Sequence, residues 1–86
     1  MENRDFTVVD VRTRAEFSGG HVAGSINIPL QEIVERIDEL KALKQPILFC
    51  CASGGRSGQA TAYFKAQGFD CENGGSWLDV NYQMSK

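Results

Sequence analysis

No run of lysine and arginine appears anywhere in the 86 residues, and 9 basic side chains are outweighed by 11 acidic ones. The resulting net charge of −2 removes the electrostatic grip that nucleic-acid binding requires. No apolar stretch approaches the roughly 20 residues of a membrane-spanning helix, so no membrane partner is expected. The N-terminus, Met1-Glu-Asn-Arg-Asp5, lacks a charged segment leading into an apolar one, and no export signal is expected. Cysteine is scarce and odd in number: Cys50, Cys51 and Cys71 do not form a disulfide framework. A bridge between the neighbours Cys50 and Cys51 would close a strained small ring. Reduced thiols, and hence a cytoplasmic location, fit better. The single histidine, His21, is a poor start for a metal site. Cys50 and Cys51, as adjacent strand residues, point to opposite faces, so no metal is expected.

What is present suffices for one core. The 42% hydrophobic content supports folding, and so short a chain cannot hold two cores, so residues 1–86 read as a single domain with a polar tail from about Asn81. Phe6-Thr-Val-Val-Asp-Val11 and Pro46-Ile-Leu-Phe-Cys50 are β-branched or apolar runs of the kind found in buried parallel strands. Thr13-Arg-Ala-Glu16 is a capping-box pattern that opens a short helix, stopped by Gly19-Gly20. A short strand is expected around Ser25 to Asn27. Leu30, Ile33, Val34, Ile37, Leu40 and Leu43 recur at helical spacing after Pro29, predicting a helix over this stretch. Its opposite face, with Gln31, Glu32, Glu35, Asp38, Glu39 and Lys41, is polar. A further helix is predicted from about Ser57 to Gln67, ended by Gly68. Phe69 to Glu72 reads as a short strand, Asn73-Gly-Gly-Ser76 as a turn, and Trp77, Leu78 and Val80 as part of a last helix. Strands alternating with helices imply an α/β fold: a small parallel sheet of about four or five strands, flanked by helices on both faces. Ligands of such sheets gather beyond the carboxyl ends of the strands, where Asp10 and Cys51 fall.

Cys51-Ala-Ser-Gly-Gly-Arg56-Ser57 therefore sits at a strand-to-helix junction. Small residues and two glycines let the backbone curl so that N–H groups of Ala52, Ser53, Gly54, Gly55, Arg56 and Ser57 converge, joined by the free donors of the next helix. A thiolate at the head of this loop gains from those donors, from the helix dipole and from the Arg56 charge. Such surroundings lower a cysteine pKa from about 8.5 into the range of about 3.5–7.5. Cys51 is thus the candidate nucleophile, ionised without a histidine base, and Arg56 the candidate that holds an anionic donor or the shape of the cradle. Cys50 and Cys71 read as core residues. Asp10 and Arg12 are supporting residues, with Asp10 a partner of Arg12 or Arg14. His21 is expected to hydrogen-bond within the turn from Glu16 to Gly24.

The loop resembles the active-site loop of the rhodanese-homology family, in which the cysteine is followed by four residues and then Arg or Thr. Asp10-Val-Arg12 through Glu16, with Gly20-His21-Val-Ala-Gly24-Ser-Ile-Asn27-Ile-Pro29, resembles that family's N-terminal signature, and Gly74-Gly75 its C-terminal glycine pair. Together the matches span about residues 8 to 77. The resemblance implies a rhodanese-like fold and a sulfurtransferase. In that reaction Cys51 takes the outer sulfur of a donor such as thiosulfate as a persulfide and passes it to cyanide or a thiol. It implies no cofactor and a monomer, with a small-molecule donor and acceptor or a protein thiol as partner. Three features depart from the family: little precedes the first strand, Ala52 stands where an arginine is common, and Trp77 follows the glycine pair early. The alternatives are a persulfide carrier loaded by a partner protein, and a cysteine-dependent phosphatase or arsenate reductase. Phosphatases of this architecture place five residues between Cys and Arg, a wider cup than the four here.

Overall fold

The computed structural model describes residues 5–85. Its elements are β1 (Thr7–Asp10), α1 (Arg14–Ser18), β2 (Ile26–Asn27), α2 (Ile37–Lys41), β3 (Ile47–Cys51), α3 (Gly55–Ala66), β4 (Cys71–Ser76) and α4 (Trp77–Met84). The strands form one four-stranded sheet in the order β2-β1-β3-β4, and every pairing is parallel. The two apolar runs of the sequence are its central strands, where helices cover both faces of the sheet.

Alternation along β1 and β3 divides the core in two. Val9, Phe49 and Cys51 face a cluster that includes Leu40 of α2 and Ala60 and Phe64 of α3. Val8 and Cys50 face the other way, against Val22 and Val80 of α4. Cys50 and Cys51 thus belong to different layers, as their adjacency in a strand requires. No helix of the described residues is long and apolar enough to cross a membrane.

The capping box forms as its sequence demands: Thr13 Oγ1 accepts from Glu16 N, and Glu16 Oε1 accepts from Thr13 N at 3.0 Å. The expected helix from Leu30 to Leu43 contracts to α2. Residues 30–36 form successive turns instead, with Glu32 N donating to Pro29 O and Ile33 N to Leu30 O. Leu30 N is drawn off to Val11 O, which ties the segment to the end of β1. Apolar residues three apart serve such turns as well as a helix, so Ile33 is still buried while Val34 is half exposed. Helix α3 begins at Gly55, earlier than Ser57, because Gly54 takes the N-cap position in a left-handed conformation with φ 102°.

The largest revision concerns residues 69–76. The short strand expected at Phe69 to Glu72 lies instead at Cys71–Ser76, so the stretch read as a turn is strand β4. A register shift between Phe49 and Cys50 lets β4 carry an additional residue, Gly74, opposite β3. A Cβ at Gly74 would lie 2.9 Å from Val80 Cγ2 and 3.0 Å from Leu48 Cγ, so α4 approaches this strand only because position 74 has no side chain. Ser76 then caps α4 by accepting from Leu78 N. The chain beyond Asn81 is not a frayed tail: α4 continues to Met84, which packs with Trp77 on the second core cluster.

Candidate active site

Strand β3 delivers Cys51 to the carboxyl end of the sheet, and the next residues fold back over its sulfur. Cys51 Sγ accepts from Gly54 N at 3.0 Å, and Ser57 N and Ser57 Oγ each lie 3.4 Å away. Gly54 makes this closure: its left-handed backbone turns the N–H inward, and a Cβ there would press within 3.3 Å of Gly75 Cα on β4. Cys51 is 1% exposed. Burial alone would suppress ionisation. The Ser57 hydroxyl and N–H, with the N–H groups of Ser53 and Gly54, overcome it and bring the thiol down to about 7. Cys50 shows the contrast in the neighbouring residue. Burial and the Asp10 charge push its thiol up to about 12. Cys71 is also buried and raised, for the same first reason.

Against the bowl lies Asn73, a residue that no local pattern singles out. Asn73 Oδ1 accepts from Ser57 Oγ at 2.6 Å and from Gly75 N at 3.0 Å, while Asn73 Nδ2 donates to Gly54 O at 3.2 Å. It joins β4 to the middle of the loop and to its Ser57 end. The Ser57 hydroxyl has one proton and two acceptors, Asn73 Oδ1 and Cys51 Sγ. Ionisation of Cys51 shifts the balance toward sulfur, since hydrogen bonds to charged acceptors are the stronger. We therefore expect alkylation of Cys51 to rise with pH through about 7. Ser57→Ala should move that midpoint upward by about one pH unit, the worth of one modest charge-assisted bond. The pH dependence of iodoacetamide labelling, read on the Cys51 peptide, measures both.

The remaining sequence candidates fall into separate groups. Ala52 and Gly55 are exposed on the rim. Arg56 turns its guanidinium to Glu16, with Nη1 and Nη2 at 2.8 and 3.0 Å from the two carboxylate oxygens. Asp10 and Arg12 form a buried pair next to the site and not part of the bowl. Arg12 Nη2 is 2.7 Å from Asp10 Oδ2, Arg12 N donates to Oδ1, and Nη2 also donates to Gly20 O. Asp10 lies opposite Cys50 in the sheet, and the Arg12 guanidinium rests 4.7 Å from the centre of the Trp77 ring. This fixes the partner of Asp10 as Arg12; Arg14 pairs with Glu32. His21 Nδ1 donates to Phe17 O at 2.7 Å while its ring stacks on Phe17, so the histidine holds the first loop. A buried thiol of lowered pKa, ringed by N–H donors and not by a histidine base, is equipped for nucleophilic attack and for holding the anion that results.

Similarity to known proteins agrees with this geometry. The family model described as the rhodanese-like domain matches residues 1–79. The protein YqhL of Bacillus subtilis is 37% identical over 65 residues, which cover 76% of this chain and 51% of that protein. The chain thus spans about half the length of that relative. Thiosulfate sulfurtransferase PspE of Escherichia coli is 36% identical over 74 residues, covering 84% of this chain and 71% of that one. The solved structure of a rhodanese with anions from E. coli superposes with a TM-score of 0.77 at 36% identity, covering 86% of this chain and 89% of its own. Strand order, the cysteine bowl and these matches lead to one assignment: the chain belongs to the rhodanese-like domain family.

Proposed function

We propose that the protein is a sulfurtransferase that takes sulfane sulfur from a donor such as thiosulfate onto Cys51 and passes it to a thiophilic acceptor. The observation that carries this reading is the Cys51 sulfur held in a bowl of donors from Gly54 and Ser57. In the first step the thiolate attacks the outer sulfur of thiosulfate. A new S–S bond forms, the donor's S–S bond breaks, and sulfite leaves with the electron pair. In the second step cyanide, or a thiolate, attacks the outer sulfur of the persulfide and regenerates the Cys51 thiolate. The bowl suits the chemistry, because its donors stabilise the negative charge on the Cys51 sulfur that attacks in the first step and departs in the second. The similarity to a thiosulfate sulfurtransferase supports the choice of donor.

A second reading, a persulfide carrier loaded by a protein partner, is favoured by the engagement of Arg56. It is the only cation between residues 51 and 57, and a carboxylate already occupies it. The four-residue spacing between Cys51 and Arg56 argues against a phosphatase. Incubation with thiosulfate should add the mass of one sulfur to the Cys51 peptide and release an equivalent of sulfite. No added sulfur, together with Cys51-dependent hydrolysis of an aryl phosphate, would reverse the proposal. Added sulfur on freshly purified protein with negligible thiosulfate turnover would select the carrier.

A further inference from the structure

The capping box of α1 does more than start a five-residue helix. Its Glu16 carboxylate accepts at once from Thr13 N at 3.0 Å, from Thr13 Oγ1 at 3.1 Å, and from both terminal nitrogens of Arg56, 40 residues further along the chain. The Arg56 bond, then the Thr13 bonds, hold this carboxyl at about 2, so it is ionised across the working range of the site. Arg56 also lines a cavity of about 300 Å³ shared with Val11, Thr13, Pro29, Leu30 and Gln31. Apart from Arg56, that lining carries no charge. A compact dianion entering it meets a cation whose bidentate face is taken and whose charge is offset.

The geometry points to Glu16 as a specificity-determining residue that neutralises Arg56, so that the site holds small dianionic donors such as thiosulfate only weakly and accepts equally well persulfides borne on uncharged organic groups, such as a protein cysteine side chain. The donor class rests on the sulfurtransferase reading; the electrostatic role of Glu16 does not. Two considerations point beyond the cap. A capping box needs only an acceptor at this position, and glutamine serves. The charge, by contrast, is matched by that of Arg56, the one cation of the cysteine loop.

Glu16→Gln therefore keeps the cap and removes the charge. Iodoacetate and iodoacetamide share one reaction, in which a C–S bond forms and iodide leaves, and differ in a single negative charge. At low ionic strength the ratio of their alkylation rates at Cys51 should rise roughly threefold or more in Glu16→Gln, since an unmasked cation raises the local concentration of anions. The same change made in an Arg56→Ala background should raise the ratio clearly less, since loss of the carboxylate relieves repulsion in either background but frees a guanidinium only where Arg56 is present. The KM for thiosulfate should fall in parallel in the single variant. A flat or reduced ratio in Glu16→Gln overturns the proposal, as does an equal rise in both backgrounds, which would place the effect elsewhere than Arg56. Failure of the sulfurtransferase reading looks different: the ratio would respond as expected while no form of the protein moves sulfur.

Discussion

Cys51→Ala is expected to abolish transfer of sulfur from thiosulfate to cyanide, by about a thousandfold or more, whereas Cys50→Ala keeps most of it. The loss follows from covalent catalysis, because burial raises the pKa of the other two thiols, Cys50 and Cys71, and leaves Cys51 as the nucleophile that carries the transferred atom between the two half-reactions. The two thiols are adjacent and both buried, so simple accessibility does not separate them. Their surroundings do. Cys51 receives Gly54 and Ser57 donors and ionises near 7; Cys50 faces Val8, Val22 and Val80 and lies beside Asp10, which keep it protonated up to about 12. Steady-state thiocyanate formation measures the effect, and labelling at neutral pH should show the same ranking. Equal loss in the two variants would mean that the bowl does not select the nucleophile.

The contrast between these cysteines was legible from the chain alone because strand alternation separates neighbours and the following glycines announce a loop. The capping box and the two central strands were legible for similar reasons: each is a local pattern with a local cause. Features that depend on distant contacts were not. The partners Glu16 and Arg56 stand 40 residues apart; the local pattern makes one a helix cap and the other a loop cation, and nothing local pairs them. Asn73 sits in Asn-Gly-Gly, a composition that favours turns, yet pairing with β3 and the approach of α4 over Gly74 hold it extended. Helical periodicity admits Val34 to the apolar stripe, but the turns of residues 30–36 swing it outward. In each case a tertiary contact decided among conformations that the local sequence left close in energy.

Asp10→Ala should be the most damaging substitution for the fold. Asp10 is 0% exposed and Arg12 is 4% exposed, and the pair is linked by several hydrogen bonds among Arg12 N, Nε and Nη2 and both carboxylate oxygens. Removing the carboxylate leaves a guanidinium buried with Gly20 O as its remaining hydrogen-bond acceptor and the Trp77 face above it. Breaking a buried pair in this way costs about 3–5 kcal/mol, because the surviving charge has lost its compensation. Small domains have about 5–15 kcal/mol in total, so the variant should lie near the limit of folding. Urea denaturation followed by the single tryptophan reads both the midpoint and the local change, since Trp77 stacks on Arg12. Asp10→Asn, which retains an acceptor for Arg12, should lose less than Asp10→Ala. A loss under about 1 kcal/mol in Asp10→Ala would show that Arg12 reaches water readily, contrary to its burial. The pair ties the end of β1 to Gly20 and to the first residue of α4, so its loss should loosen both flanks of the sheet's carboxyl edge. The stability cost and a fall in sulfur transfer should therefore appear together, although neither side chain touches Sγ.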